Sequence, residues 1–249
     1  MPEWMTYLIL FPVGFVAGAL NVVAGGGSFL TLPVLIFLGL PPTVANGTNR
    51  VAILFQTAGA AWSFHNYKLM NWRWAFIAAF PAVIGAGLGT AAAVVVGDEA
   101  FRKILAFLMV AVTLWTLLSP VSSRAGNSDR EPDLARFSVI AGFFAVGIYG
   151  GFVQAGVGFF TLAVTTLAGL NLVQGNTIKV FCVFAFTVIS LSIFAWQGMV
   201  HWPLGLTLAV GNTLGGLLGV RLAVLKGHTW IRGVVTVTVI VFAIRVWFS

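Results

Sequence analysis

The sequence predicts an all-α, polytopic membrane protein made of two repeats of inverted topology, each with about five helical segments, eight to ten in all. Three observations carry that reading: a composition that cannot cover a soluble globule, apolar runs of spanning length, and an internal similarity at a fixed offset. Of the 249 residues, 59% are hydrophobic and 8% charged, with mean hydropathy +1.02. A soluble domain carries about 25% charged residues because its surface faces water. This surface must face lipid.

The formal net charge of +7 would suggest nucleic acid in a soluble chain. Here the basic residues sit in short loops between apolar runs, where they set orientation in a bilayer. No nucleic-acid partner is expected. The single Cys182 excludes an intrachain disulfide and a cysteine metal cluster. The opening Met-Pro-Glu-Trp lacks the basic n-region of a cleavable signal, so Met5–Ala24 is expected to be retained.

A spanning helix needs about 20 apolar residues to cross a core of about 30 Å. In the first half such segments are Met5–Ala24, Ala45–His65, Trp74–Val96 and Ala100–Ser119. Between the first two, Ser28–Leu40 follows Gly25-Gly26-Gly27 and precedes Pro41-Pro42. It is too short to cross comfortably and reads as a half-helix or a re-entrant element. The second half repeats the layout with Phe137–Gln154, short Phe159–Leu170, Thr177–Gln197, Leu204–Val224 and Ile231–Phe248. The domains are therefore residues 1–119, a solvated cytoplasmic linker over 120–136, and residues 137–249.

The halves also match residue by residue. At an offset of 130, Gly26, Phe29, Thr31, Leu32 and Gly39 match Gly156, Phe159, Thr161, Leu162 and Gly169. Trp72, Gly85, Gly89 and Arg102 match Trp202, Gly215, Gly219 and Arg232. If the opening pair of each repeat returns to its starting side, three further crossings leave the second repeat inverted. One face then carries Lys68, Arg73, Arg124, Arg130, Arg136, Arg221, Lys226 and Arg232, against Arg102, Lys103 and Arg245 on the other. The positive-inside rule makes the first face cytoplasmic and puts both termini outside, in a multi-pass protein of the cell inner (plasma) membrane.

Glycine-interrupted short segments at matching places in inverted repeats point to a binding site at the repeat interface. The candidates are Gly25, Gly26, Gly27 and Ser28 in one half, and Gly156 and Gly158 in the other. Helix N-termini after such a break offer N–H groups and a positive dipole end to an anion. The competing reading is close helix packing, which glycine also serves. Neither a Rossmann nor a Walker context surrounds these glycines.

Polar residues cluster at the third element of each half: Asn46, Thr48, Asn49 and Arg50, then Asn176, Thr177 and Lys179. At an offset of 129, Thr48 matches Thr177 and Arg50 matches Lys179. No Asp or Glu within the spans neutralises these cations, so each must snorkel to water or be completed by an anion. Two cations in matching positions favour an anion site. Helices starting at Ala45 and Gln174 would leave the cations about 8 Å from opposite faces. A shared site therefore requires the preceding loops to dip into the membrane. Gln154, Gln56, Asn21 and Asn212 are amides that donate to an oxyanion or glue helices together, glue being favoured for any one. His65, His201 and His228 fall at segment ends without metal spacing. Trp72, Trp74, Trp202, Trp230 and Trp247 suit an interfacial belt.

With Gly25-Gly26-Gly27-Ser28-Phe29-Leu30-Thr31-Leu32-Pro33, Gly39-Leu40-Pro41-Pro42 and Ala45-Asn46-Gly47-Thr48-Asn49, the chain resembles the TauE/SafE membrane transporters, the sulfite exporter family. The resemblance covers nearly the whole length. It implies transport of sulfite, sulfonates such as sulfoacetate, or related sulfur-containing anions. Its motif positions fall on Gly25, Gly26, Gly27, Pro33, Gly47 and Thr48. The second copy departs from the pattern at Val157 and Ala163, and in Gln174-Gly175-Asn176 before Thr177.

The expected function is secondary transport of a small anion by alternating access between the repeats. The alternative is an anion channel whose pore the same cations line. An enzyme is not expected, because paired carboxylates, a Ser/His/Asp set and a metal cluster are all lacking. No cofactor or metal is called for. The partners are the anion and the bilayer, with room for a homo-oligomer.

Overall fold

The computed structural model describes residues 3–118 and 132–247, which form nine helices and no strands. They are α1 (Glu3–Val23), α2 (Ser28–Phe37), α3 (Pro42–Asn66), α4 (Trp72–Val95), α5 (Asp98–Leu118), α6 (Phe137–Phe152), α7 (Val157–Leu167), α8 (Leu172–Trp196) and α9 (Trp202–Trp247). The starts have local causes. Pro42 opens α3 where its missing N–H costs nothing. Asn71 Oδ1 accepts from Trp74 N at the start of α4. Asn171 and Gln174 form a reciprocal capping box on α8.

Those starts correct two expectations. α3 and α8 begin upstream of Ala45 and Thr177, so both polar clusters lie inside helices. Arg50 then stands eight residues after Pro42, and Lys179 seven after Leu172, about 12 and 10 Å along each axis. A third correction concerns α9, which joins the expected Leu204–Val224 and Ile231–Phe248 in one helix of 46 residues. The first half breaks at the comparable place because Val96 turns extended before Gly97 and Asp98. The stretch from Leu225 to Trp230 has only Gly227 to weaken it and no proline. The Trp202–Lys226 portion is the length of a span.

Helix directions follow from which residues touch. α1 runs parallel to α9, with Phe11, Phe15 and Ala19 against Gly211, Gly215 and Gly219. α3 runs the same way, placing Thr48 beside Gly205 and Gln56 beside Gly216. α6 is parallel to α4, with Ala82 and Ala86 against Gly147 and Gly151. α8 is parallel to α4 too, since Ala78 meets Cys182 and Thr90 meets Ser190. The two groups are opposed: Gly47, near the start of α3, touches Phe194 near the end of α8, whereas Phe64 shares a cluster with Val180. Hence α1 and α6, which open the two halves, run in opposite directions.

At 10 and 11 residues, α2 and α7 are about 15 Å and 16 Å long, half of a hydrocarbon core. α3 starts beside the start of α9, at the end of the bundle where α1 also starts. α2 must therefore return to that end. α1–α2 and α6–α7 are helix hairpins that open toward opposite ends of the bundle, and α1 is itself the length of a span. Of the expected linker, 119–131 lies outside the described residues. In its last part Asp133, Ala135 and Arg136 are exposed, while Leu134 is buried and Asp133 N donates to Ala168 O. The side chains of Trp230 and Arg232, like Arg124 and Arg130, also lie outside the described residues.

Small residues let backbones meet, as expected where lipid removes the hydrophobic drive between helices. Trp4, Phe37, Phe80, Phe107 and Leu167 are exposed around the outside, an apolar surface suited to acyl chains. A Cβ on Gly18 would stand 2.1 Å from Asn212 O, whereas one on Gly87 would meet nothing within 4 Å. Gly18→Leu is therefore expected to lower stability by about 1–3 kcal/mol. Gly87→Ala should be neutral or slightly stabilising in a helix. Thermal unfolding in detergent, followed by size-exclusion profile, reads both.

Candidate functional site

The hairpin tips meet in the middle of the bundle. Gly25 (φ +91°) and Gly156 (φ +73°) take left-handed backbone that other residues adopt only under strain. Gly25 and Gly158 touch backbone to backbone: a Cβ on Gly25 would lie 2.4 Å from Gly158 Cα. Phe29 and Phe159, each just inside its short helix, stack at 6.3 Å between ring centroids. The N-termini of α2 and α7 therefore converge, and with them two positive dipole ends.

The helices entering these breaks, α1 and α6, end in carbonyls without intrahelical partners. The two cations supply those partners across the halves. Arg50 on α3 donates from Nη2 to Gly151 O of α6 at 2.6 Å, and from Nη1 to Gln154 Oε1 at 2.8 Å. Lys179 on α8 donates to Asn21 O and Val22 O of α1 at 3.0 and 2.6 Å. Neither snorkels, since the residues are 0% and 2% exposed. Charge at a helix C-terminus is also where a cation is favoured. Backbone carbonyls, rather than a carboxylate, are the protein's own answer to burying these charges.

Around Arg50 the space is filled. Its guanidinium lies over the Phe194 ring at 4.9 Å, and Gln154 Nε2 donates to Thr187 Oγ1 at 3.2 Å. Thr90 and Ser190 hydroxyls pair at 2.8 Å beside the Gly151 carbonyl. Around Lys179 a cavity remains, lined by Asn21, Gly25, Ser28, Gln56, Gln154, Gly158 and Lys179, with Thr57 among its walls. It offers about 20 Å³ to water centres, room for one water and not for a larger ion without side-chain movement.

The fourteen sequence candidates divide accordingly. Gly25, Ser28, Gln154, Gly158 and Lys179 share the cavity. Gly26, Gly27 and Gly156 shape the breaks, and Gly27 backs onto Ala17 O. The polar cluster on α3 is spent on packing. Thr48 Oγ1 accepts from His201 N, and Asn46 Nδ2 donates to Phe152 O. Asn49 accepts from Thr31 and donates to Ser28. Thr177 bonds back to Gln174 O, and the buried Asn176 amide has neither atom partnered. Gln56 and Asn21, ranked as helix glue from sequence, line the cavity, and Thr57 was not singled out at all. Their signal is an amide facing a glycine break across helices, which only the fold brings together.

The clasps predict a stability effect independent of any ligand. Arg50→Met leaves the Gly151 carbonyl without its guanidinium and is expected to cost about 1–3 kcal/mol. Thermal unfolding in anion-poor buffer measures it.

The chain is similar to known proteins over nearly its full length. A family model described as sulfite exporter TauE/SafE matches residues 10–246. A probable membrane transporter protein of Haemophilus influenzae is 32% identical over 92% of this chain and 89% of its own. The probable membrane transporter protein ORF9 of a Sinorhizobium species is 31% identical, over 95% and 90%. The probable membrane transporter protein YfcA of Escherichia coli K12 is 30% identical, over 92% and 85%. No solved structure matches the chain. With crossed helix hairpins in an apolar bundle and a match that spans both of them, the chain belongs to the sulfite exporter TauE/SafE family of membrane proteins.

Proposed function

We propose that the protein is a secondary transporter that carries a small sulfur-containing anion, sulfite or a sulfonate, by alternating access. The observation that carries this is the convergence of two half-helix N-termini on a cavity that also holds Lys179. Each N-terminus contributes about half a positive charge, in a surrounding where little water screens it. An anion there meets the dipoles, an ammonium and hydroxyl or amide donors from Ser28, Gln56 and Gln154. The family's description supplies the sulfur oxyanion as the class to test first.

The opposed hairpins support the inverted-repeat reading, since a site between mirrored elements serves both faces equally. A space of about 20 Å³ favours a carrier caught closed over a permanent pore. The basic residues support the orientation. Lys68, Arg73, Arg136, Arg221 and Lys226 gather at one end of the bundle, against Arg102 and Lys103 at the other. The first end is then cytoplasmic, with the start of α1 on the outside of the inner membrane.

Uptake of labelled sulfite and of a labelled sulfonate into proteoliposomes tests the reading. Saturable uptake is expected, and Lys179→Gln, checked for folding and insertion, should reduce it about tenfold or more. Uptake unchanged in that variant would remove Lys179 from the site. A sustained current at fixed voltage far above carrier turnover would replace the carrier by a channel.

A further inference from the structure

The two breaks differ in what stands beside them. α3 and α8 are both 25 residues long and begin 130 residues apart, so the structural register is 130 and not the 129 that pairs Arg50 with Lys179. The cations are therefore one residue out of step, about 100° around the helix. In the same register, Gln56 corresponds to Phe186 and Ala24 to Gln154. On the Arg50 side, Gln154 and Gly151 take the two terminal nitrogens of the guanidinium, Nε is left without a partner, and the buried Phe186 ring lies against Gly150. On the Lys179 side, Ala24 has no polar group to offer, and the aromatic ring is replaced by an amide.

That amide is held between two asparagines. Gln56 Oε1 accepts from Asn21 Nδ2 at 3.1 Å and from Asn212 Nδ2 at 3.3 Å. An oxygen held by two N–H donors turns the Nε2 group the other way. Nε2 has no protein partner among the described residues, and Gln56, only 2% exposed, lines the cavity with Lys179. The Lys179 ammonium has three N–H donors and gives two to α1 carbonyls. One N–H on Lys179 and the two on Gln56 Nε2 are left for a ligand.

We propose that anion recognition is one-sided: Lys179 supplies the charge and Gln56 Nε2 the directional donor, while Arg50 positions α6 and does not touch the ligand. The recognised chemistry is a group with at least two acceptor oxygens, such as the –SO3 end shared by sulfite and organic sulfonates. Gln56 is then the specificity determinant, because the asparagine pair holds its amide beside the cavity before the anion arrives. This rests on the anion-transport reading above.

The test uses purified full-length protein, with sulfite, methanesulfonate and chloride added in turn while thermal unfolding is followed, and uptake into proteoliposomes in parallel. Gln56→Glu keeps the size and the two accepted hydrogen bonds but replaces the free donor with an oxyanion. It should fold, lose the sulfite-induced rise in melting temperature, and cut uptake about tenfold or more. Arg50→Lys should melt earlier with and without anion yet keep the anion-induced rise. Methanesulfonate acting like sulfite places the shared –SO3 group in the site; sulfite alone narrows the ligand to the free anion. A Gln56→Glu protein that binds and transports like wild type overturns the proposal while leaving the transport reading intact. So does an Arg50→Lys protein that loses the anion-induced rise as Gln56→Glu should. Wild-type protein that neither shifts with any anion nor takes one up overturns both.

Discussion

A helix that stops inside a low-dielectric bundle exposes carbonyls that neither water nor its own next turn can satisfy. This protein stops two helices there, α1 at Val23 and α6 at Phe152, and completes each with a cation from the opposite half. The crossed clasps of Lys179 on α1 and Arg50 on α6 are the constraint on which the rest depends. They allow the glycine breaks to exist at depth, and they tie each hairpin to a helix that belongs to the other half. Because cation and carbonyl come from different halves, the clasps also fix how the halves meet.

The scaffold around the clasps exchanges partners in the same way. α1 lies along α9 and α6 along α4, so each hairpin's long arm rests on the other half, or on a helix adjoining it, through glycine and alanine contacts. Backbones that approach this closely gain dispersion and weak polar contacts without needing large side chains. The large side chains are instead left for the perimeter, where Phe80, Phe107 and Leu167 face outwards. Hairpin tips held between such rigid pairs are placed against each other to within the contact of Gly25 and Gly158.

Polar groups in the interior are distributed unevenly over this framework. Most are bonded to one another or to backbone: Thr48 to the turn before α9, Asn49 to Thr31 and Ser28, Gln154 to Arg50 and Thr187. A buried polar group without such a partner costs free energy, and among the described residues Asn46 Oδ1, Arg50 Nε, Asn212 Oδ1 and both ends of the Asn176 amide are left so. Lys179 borders a space, whereas beside Arg50 the space is taken by Gln154. The near-symmetry of the fold thus does not extend to its chemistry.

Much of the fold was legible in the residues themselves. Composition required lipid as solvent, spans of about 20 apolar residues required helices, and Gly25-Gly26-Gly27 with Pro41-Pro42 bounded a segment too short to cross. Those are local properties of chain length and hydrophobicity, and they survive in the structure. The family resemblance rested on the same local motifs. Helix starts were less legible, because the capping box at Asn171 and the proline start at Pro42 moved two polar clusters inside helices. The site was legible only as its parts. Sequence could name Arg50 and Lys179 as costly charges, but their partners, Gly151 and Asn21, are backbone carbonyls more than 100 residues away. Carbonyls have no sequence signature. Nor could the sequence decide that Gln56 lines a cavity while Asn49 is consumed in packing, since both are amides on one helix. A side chain's chemistry is set by its residue type, but whether a donor is left over depends on what the tertiary structure brings within 3 Å of it.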